Sequence, residues 1–519
     1  MTGECAVDAK PASRFGFLTE RRAFWLVALA CMWLTLSLPL FAQEAYYFTY
    51  SLHPDLSYFD HPPMVAWLIW VGVQVFGDGT LGIRIGMWLA GLATMWAGQA
   101  LLRDFGVGPR GRTTWILANL AVPALLTIHF FSTPDPPLVA GWTLCMLALW
   151  RARSGSLLAW SLAGLFAGVA LLSKYTAGFL AVSGIVLLLL DPRMRRQLLR
   201  PGPWLGVVMA AVVFSPVVIW NARHGFESFL FQTGGRLDKA AFDPMSFLKT
   251  FGMQFGLLNP VLVLLLPMIL AWLWRLARTG DQRALWLLAF GLPLPVFLLS
   301  SSLWVETKPN WYSPGYVGLV LGASWWWERS EWLRARPGWQ RAATVSLVVV
   351  LCILPLTEGI ELIPARSGSS WTGWKEVAAR AEHWEEIIDA EDGVEGNVFF
   401  FGSDHHDTAQ LIHSLGILWR EESDPGHFME PILSRNTVGE MALQFDHWCN
   451  PRDLVGQDAI FVLPRPDDRQ GTIDYARRFF TSMEVVERVK VHHLGIQVFV
   501  ADIFACRGYR GPFPAAPGR

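Results

Sequence analysis

The sequence predicts a mainly α-helical protein: a polytopic bundle of membrane-spanning helices followed by a small α/β domain. Of its 519 residues, 53% are hydrophobic and 16% are charged, whereas soluble domains contain about 25% charged residues. Apolar stretches close to the ~17–25 residues that cross a hydrocarbon core recur along residues 1–357. The formal net charge of −1 and the lack of a basic stripe argue against nucleic acid as a partner.

About eleven apolar segments are predicted to span the membrane. A further apolar run, residues 63–77, is predicted to lie along the membrane surface or to form a short broken helix. The first span is longer than the apolar part of a usual signal peptide and many spans follow it, so we interpret it as an uncleaved helix. The predicted spans are residues 23–42, 80–102, 113–131, 136–151, 156–173, 175–190, 204–220, 250–274, 285–304, 312–327 and 342–356.

The distribution of arginine predicts the orientation of the bundle. Loops with several arginines each, such as residues 103–112 and 191–202, alternate along the chain with loops that contain far fewer basic residues. Because cytoplasmic loops are enriched in Lys and Arg, the N-terminus is predicted to be cytoplasmic. The first loop, residues 42–79, and the segment after residue 357 are then predicted to lie outside.

The C-terminal segment, residues 358–519, has a different character. Its sequences NVFFFG, AIFVLP and IQVFVADIF are typical of short buried strands, and GWKEVAARAEHWEEIIDA has helical spacing. A small α/β domain on the outer face is therefore predicted. Cys449 and Cys506 both lie in this domain, where an oxidising compartment would let them form a disulfide. Two free buried thiols are the alternative.

Polar motifs in five separate loops all fall on the predicted outer side, while the spans are nearly free of charge. A transporter would need charged residues near the bilayer midplane. The pattern therefore favours an enzyme working at the outer leaflet over a polyprenyl-lipid transporter or flippase. The motifs are YFDHPP (58–63), STPDPP (132–137), LSKYT (172–176), WNARHGFESFLFQTGGR (220–236) and WVETKPNWYSP (304–314).

Polar loops that gather on one side of apolar helices predict a cavity there. A lipid-linked sugar phosphate would fit this cavity, with an apolar groove for its tail and cations for its phosphate. Lys174, Arg236 and Lys308 are candidates to bind that phosphate and to stabilise it as a leaving group. A Lys or Arg at a helix end can also be only a snorkelling anchor. The candidates for contacts with the rest of the substrate are Tyr46, Tyr58, Tyr175, Asn221, His224, Asn310 and Trp311.

Three carboxylates in the outer loops are candidates for the catalytic base: Glu44, Asp60 and Asp135. A carboxylate can take the proton of an acceptor hydroxyl in the transition state. Asp135 precedes two prolines, so it also suits the start of a helix.

The sequence SDHHD at residues 403–407 contains the residue types of a metal site. It also lies where a predicted strand leads into a helix, and Ser and Asp are good helix caps. No other cluster has recognisable ligand spacing, so no metal site is assigned.

The order of four motifs resembles that of the GT-C membrane glycosyltransferases. The motifs are an acidic and aromatic first loop with YFDHPP, an outer TPDPP, a KYT and a later KPNW. The similarity is to the bacterial branch with the lipid A aminoarabinose transferase and, more distantly, to the protein O-mannosyltransferases. It extends to about residue 320, and the C-terminal sequences GWKE and QFDHWCNPRDLVGQDAIFV resemble the bacterial branch too.

The resemblance implies a monomeric enzyme of the bacterial inner membrane. It implies transfer of a sugar, with inversion, from a polyprenyl-phosphate donor to a glycolipid of lipid A or core type at the periplasmic face. The alternative within the fold is a protein O-glycosyltransferase. The first-loop carboxylates could hold a divalent metal, but the resemblance implies no essential metal or other cofactor.

The resemblance also implies a first-loop Asp-Glu pair whose Asp is the catalytic base, and this pair falls on Gln43 and Glu44. The chain therefore keeps the Glu and lacks the Asp. Two hypotheses follow: Glu44 or Asp60 is the base, or the acceptor is already anionic and needs only orientation. The Asp60-His61 pair occupies the place of an acidic-basic pair in the family, which implies that His61 contacts the donor phosphate.

Overall fold

A computed structural model describes residues 19–234, 241–353, 372–392, 396–421 and 431–512 of the chain. The part up to residue 353 is helical, and a five-stranded sheet with flanking helices follows it. Helices α1 to α19 are Glu20–Ser37, Ala42–Leu52, Met64–Phe76, Thr80–Asp104, Pro109–Ala121, Pro123–Thr127, Asp135–Ala152, Leu157–Ser173, Phe179–Leu190, Pro192–Gln197, Pro201–Arg223, Glu227–Thr233, Pro244–Leu258, Pro260–Arg278, Gln282–Gly291, Pro293–Ser301, Ser313–Arg329, Glu331–Arg334 and Pro337–Ile353.

The predicted number of eleven spans is not confirmed. In the described part of the chain, four helical stretches are both long and apolar enough to cross a membrane. A fifth span is possible if α1 and α2, which meet at an angle of 82°, are counted as one bent span. The four stretches are Thr80–Asp104, Pro201–Arg223, Pro260–Arg278 and Gln282–Ser301.

Breaks in the backbone explain part of this difference. The predicted span 250–274 is two helices, because Asn259 has a φ of 78° and caps α14 by accepting a hydrogen bond from the Val261 amide. Pro260 then occupies the first position of α14, where its missing N–H costs nothing. The predicted span 113–131 is interrupted in the same way, since Val122 is extended and Pro123 begins α6.

The first outer loop, residues 42–79, is largely helical. The ring-rich sequence AQEAYYFTYSL forms α2, and the run predicted to be a surface segment or short broken helix forms the 13-residue α3. Helix α2 is buried along nearly its whole length.

The C-terminal unit confirms the predicted α/β character. Its sheet has the order β2-β1-β3-β5-β4, in which β1 is parallel to β2 and β3, and β5 is antiparallel to β3 and β4. The three predicted strands are β1, β3 and β5, while β4 was not predicted because its sequence SMEVVERVKVHH is mostly polar and exposed. Strands β1 to β5 are Val398–Gly402, Ile432–Leu433, Asp458–Pro464, Ser482–His493 and Ile496–Arg507, and helices α20 to α22 are Trp374–Asp392, His405–Glu421 and Gln470–Ala476.

Helix α21 of the C-terminal unit packs against α2. Ala409 and Phe445 share one apolar cluster with Tyr46 of α2. The Gln444 side chain accepts a hydrogen bond from the Phe59 amide at 2.7 Å, which ties the same unit to the loop after α2. The C-terminal unit thus covers the first loop, which holds five of the fourteen candidate residues, more than any other loop.

Cys449 and Cys506 are free thiols, so the structure has no disulfide between them. Burial raises the pKa of both thiols, which lowers the thiolate fraction and slows oxidation. We expect iodoacetamide to alkylate both cysteines in denatured, unreduced protein, as read by peptide mass spectrometry. Alkylation of the pair only after reduction would contradict the free-thiol state.

Candidate functional site

Glu44 lies at the start of α2 and is fully buried. Its Oε1 accepts hydrogen bonds from Arg84 Nε at 2.8 Å and from the Ser132 amide at 2.9 Å. Its Oε2 accepts from Arg84 Nη2 at 2.6 Å and from the Phe41 amide at 3.0 Å. Each carboxylate oxygen has the two hydrogen bonds that its lone pairs allow. Glu44 therefore joins α2, α4 and the loop before α7, and it is poorly placed to accept a further proton.

Arg84, the partner of Glu44, shows that the spans are less free of charge than predicted from the sequence. It lies within the spanning helix α4 and is 0% exposed. It also donates to the carbonyls of Thr35, Leu38 and Pro39 at the end of α1. Ionisable residues in spanning segments are rare and are usually paired, so this single arginine was a signal that pointed to a buried acidic partner.

Asp135 brings three of the predicted motifs together. It begins α7 and is 4% exposed. Lys174, between α8 and α9, donates to its Oδ1 at 2.8 Å, and Asn310 donates to its Oδ2 at 2.5 Å. The TPDPP, KYT and KPNW loops therefore meet at one carboxylate. That these loops line a substrate cavity stays a prediction. The buried Lys174 is held by this ion pair, whereas Asn310 is exposed.

Asp60 forms a second cluster, in the loop between α2 and α3. It is 7% exposed, and its Oδ1 accepts hydrogen bonds from the hydroxyls of Tyr46, at 3.2 Å, and Tyr50. His61 Nε2 lies 3.9 Å from Asp60 Oδ2. The Asp60 carbonyl accepts from Gln232 of α12 at 2.7 Å. Tyr50 was not predicted, although its four-residue spacing from Tyr46 places both rings on one face of a helix.

The electrostatics of Asp60 suit proton transfer. Burial raises the pKa of its carboxyl, and the Tyr50 and Tyr46 hydroxyls and the Lys308 ammonium partly offset this increase. Lys308 is exposed and two residues before Asn310, and Tyr175, next to Lys174, also lies within the electrostatic range of Asp60. Lys308 therefore links Asp60 electrostatically to the loop whose Asn310 contacts Asp135.

The C-terminal unit contributes His405 and His406 to this region. The His405 ring packs 4.9 Å from the ring of Tyr46, and His406 Nε2 lies 3.0 Å from Gln43 Oε1. Burial lowers the pKa of His405 to about 3 and also lowers that of His406, so both rings are neutral at neutral pH. Gln43, which stands where the resemblance implies Asp, therefore faces a neutral imidazole.

Asp404, His405 and His406 have ligand atoms within 4.8 Å of one another, close enough to hold a metal ion. Asp404, however, caps α21, since its Oδ1 accepts from the amides of His406 and Asp407 at 2.8 and 3.0 Å. The positive charges of Lys308 and Arg435 act on the same imidazoles. Both positive charges would repel a bound cation, so the arrangement favours a helix-capping role for Asp404 over a metal site.

The remaining candidates lie around these clusters. Tyr58 is buried and its hydroxyl donates to the carbonyls of Tyr50 and His53, at 3.0 and 3.1 Å. The Tyr175 hydroxyl lies 2.7 Å from Ser228 Oγ. Asn221, His224 and Trp311 follow: Asn221 is buried and bonds backbone groups, His224 stacks on Trp220 at 4.0 Å, and Trp311 packs partly buried on the helical core. Arg236 lies outside the described residues.

Residues 60–220 match the family model described as Dolichyl-phosphate-mannose-protein mannosyltransferase. The matched segment contains Asp60, Asp135 and Lys174. This segment, less than a third of the chain, therefore resembles that family. The resemblance stated from the motifs is thereby confirmed for this part of the chain.

Two curated proteins are similar in sequence to about half of the chain. The lipid A galacturonosyltransferase of Rhizobium johnstonii is 28% identical over 299 residues, which are 55% of this chain and 60% of that protein. The undecaprenyl phosphate-alpha-4-amino-4-deoxy-L-arabinose arabinosyl transferase 1 of Pseudomonas fluorescens is 30% identical over 304 residues, which are 54% of this chain and 50% of that protein. The chain thus spans about half the length of the curated relatives it matches.

The fold of the chain as a whole is similar to that of a solved structure. The crystal structure of ArnT from Cupriavidus metallidurans in the apo state has a TM-score of 0.60 and 16% identity, and it covers 93% of this chain and 97% of that one. The same protein bound to undecaprenyl phosphate has a TM-score of 0.58, with 95% and 98% covered. Coverage of this extent includes the C-terminal unit, so the multi-pass membrane bundle and the sheet belong to one shared architecture.

Proposed function

We propose that the chain is an integral-membrane glycosyltransferase. It transfers a sugar from a polyprenyl-phosphate donor, with inversion, to a glycolipid of lipid A or core type. The observation that carries the proposal is the buried Asp60, whose pKa is raised, beside the exposed Lys308 on a GT-C fold. The names of both curated relatives, a lipid A transferase and an undecaprenyl-phosphate-dependent transferase, support the donor and acceptor classes.

The proposed location is the periplasmic face of the bacterial inner membrane. Asp135 begins α7, and arginines of the loop at residues 191–202 gather near the opposite end of that helix. Because arginine-rich loops favour the cytoplasm, this supports a periplasmic site and a cytoplasmic N-terminus. Residues 1–357 form the membrane domain in this proposal, and residues 358–519 form a periplasmic domain that covers the first loop.

In the proposed reaction, Asp60 takes the proton of an acceptor hydroxyl as the hydroxyl oxygen attacks the anomeric carbon of the donor sugar. The bond between that carbon and the phosphate oxygen breaks, and the polyprenyl phosphate leaves as an anion. Attack opposite the leaving group inverts the anomeric centre. Lys308, whose side chain is exposed, would stabilise the departing phosphate together with His61.

Lys174 and Asp135 have a different proposed role. Because Lys174 is held in a buried ion pair with Asp135, it is less free to move with a departing phosphate. The same pair fixes the loops that carry Asn310 and Lys308. Glu44 is likewise proposed to hold the site in place, because Arg84 and two amides occupy its carboxylate. Of the two carboxylates left open as the base, the contacts favour Asp60.

Purified protein, a synthetic polyprenyl-phosphate sugar and purified lipid A provide the direct test. We expect lipid A to gain the mass of one sugar, and we expect Lys308→Gln to lower the transfer rate more than Lys249→Gln, a change at an exposed lysine elsewhere in the chain. The proposed function would be refuted if no polyprenyl-phosphate donor gave a sugar adduct on lipid A or on core glycolipid.

The description of the matched family model favours one second candidate, a protein O-glycosyltransferase. A Ser/Thr-containing peptide in place of lipid A distinguishes the two. Modification of the peptide and not of the lipid would establish the second candidate instead.

The transfer rate should depend on the protonation of Asp60. Because burial raises the pKa of Asp60 above the ordinary 3.8, the base is lost progressively as pH falls through that raised value, and the rate should fall with it. The measurement is kcat/KM against pH, which reports the groups of the free enzyme. If the fall in rate at low pH persists unchanged in Asp60→Asn, another group is responsible for it.

A further inference from the structure

A cleft of about 610 Å³ lies at the end of the bundle opposite the proposed active site. Helix α7 begins at Asp135 and has 18 residues, so its two ends are about 27 Å apart at 1.5 Å per residue. The far end supplies Trp150 and Arg153 to the cleft, and the segments after α9 and α14 supply the rest of its lining. The cleft is therefore separate from the Asp60 and Asp135 clusters.

Arginine dominates the charge of this cleft. Its lining contains Arg153, Arg193, Arg196 and Arg283 and two carboxylates, Asp191 and Asp281. Each carboxylate already has a partner: Arg153 Nε lies 2.9 Å from Asp191 Oδ2, and Arg283 Nη2 lies 2.6 Å from Asp281 Oδ2.

Two of these arginines carry uncompensated charge. Arg193 and Arg196 are exposed, and neither forms an ion pair with another residue in the described part of the chain. Both line the cleft and belong to the short helix α10. The cleft therefore has a net positive charge.

Arg153 provides an independent indication of a ligand. Its side chain is 8% exposed and its guanidinium stacks 4.2 Å from the centre of the Trp150 ring. Its Nη2 is buried and finds no acceptor among the described residues. An unsatisfied buried donor destabilises the folded state, and more so when it is charged. Arg153 lines the cleft, so an anion that reached its guanidinium from there would supply the missing acceptor.

We propose that the cleft binds the phosphate headgroup of an anionic membrane lipid. Arginine guanidinium groups match phosphate oxygens in pairs, and basic pockets between spanning helices bind anionic headgroups. Exposed apolar side chains close in sequence to the lining residues favour a lipid over a soluble phosphate. Leu189 and Leu190 precede Asp191 and are 66% and 58% exposed, and Leu199 follows Arg196 by three positions and is 93% exposed. They provide a surface for acyl chains. This inference does not depend on the proposed transferase activity.

Thermal unfolding of the delipidated, detergent-purified full chain tests the site. Phosphatidylglycerol should raise the unfolding temperature in a saturable way, because a ligand that binds the folded state stabilises it. Arg196→Gln should raise the half-saturating lipid concentration about tenfold, the equivalent of one lost interaction of ~1.4 kcal/mol. Arg195→Gln is the matched control, because Arg195 is exposed on the same helix but does not line the cleft.

Three outcomes would overturn the proposal. Equal effects of Arg196→Gln and Arg195→Gln would show that only general surface charge is involved. Equal stabilisation by phosphatidylethanolamine would remove the requirement for an anionic headgroup. Equal stabilisation by inorganic phosphate at the same concentration would assign the cleft to a soluble phosphate compound instead of a lipid.

Discussion

Asp60→Asn should lower the rate of sugar transfer by about 10²–10⁴-fold, the usual contribution of a general base. The amide cannot accept the acceptor proton, but it can keep the hydrogen bonds to Tyr46 and Tyr50. Binding of the donor should therefore change little while kcat falls. The measurement is steady-state transfer of a radiolabelled sugar, with donor affinity measured separately by calorimetry.

Asp55→Asn is the matched control for Asp60→Asn. Asp55 lies in the same loop and is exposed, and its carboxylate accepts hydrogen bonds from the Leu56 amide and the Trp220 indole. We expect this variant to keep most of its transfer activity. Full activity of Asp60→Asn would refute Asp60 as the base and would support the other hypothesis, in which the acceptor is already anionic.

The acceptor itself separates these two hypotheses. If the acceptor atom is a hydroxyl, lipid A without its phosphates should remain a substrate, and Asp60 should remain necessary. If the acceptor is a lipid phosphate, the dephosphorylated lipid should not react, and Asp60→Asn should retain most of its rate.

Arg84→Met should lower the free energy of unfolding by about 3–5 kcal/mol, the usual result of removing one partner of a buried ion pair. The variant leaves Glu44 buried without its charge partner, and it leaves the carbonyls of Thr35, Leu38 and Pro39 without a donor. The bend between α1 and α2 should lose its support. The measurement is the unfolding midpoint of the purified protein in detergent.

Arg151→Met provides the comparison for Arg84→Met. Arg151 pairs with Asp104 at a distance of 2.8 Å, but its side chain is 49% exposed. Exposed pairs contribute about 0–1 kcal/mol, so the same substitution should have a small effect there. A similar loss in both variants would contradict the view that Glu44 and Arg84 form a buried structural pair.

Much of the site could be predicted because its residue types are unusual for their surroundings. Charged and amide side chains between apolar helices identified Asp135, Lys174 and Asn310, and the structure brings these three together. The sequence could not distinguish the roles of Glu44 and Asp60, since both are acidic residues in one aromatic segment. Their difference lies in their partners: an arginine and two amides for Glu44, and two tyrosine hydroxyls for Asp60.

Contacts between distant segments were the least predictable part. The contact of His406 with Gln43 joins residues 363 positions apart, and no local pattern indicates it. The motif SDHHD was recognised as a cap or a metal site, and the structure supports the cap through the two amide hydrogen bonds to Asp404. Its position over the first loop depends on how α21 packs against α2.

By itself, the sequence determined the helical class with apolar spanning stretches, three of the five C-terminal strands and the resemblance to a glycosyltransferase family, because these depend on apolar run lengths, alternation and ordered motifs that are local in the chain. Only the tertiary structure decided where helices break, which carboxylate is already neutralised, and which arginines remain without a partner. Those properties depend on burial and on neighbours far apart in sequence. A carboxylate in contact with a guanidinium differs chemically from one in contact with phenols, and only folding sets that contact.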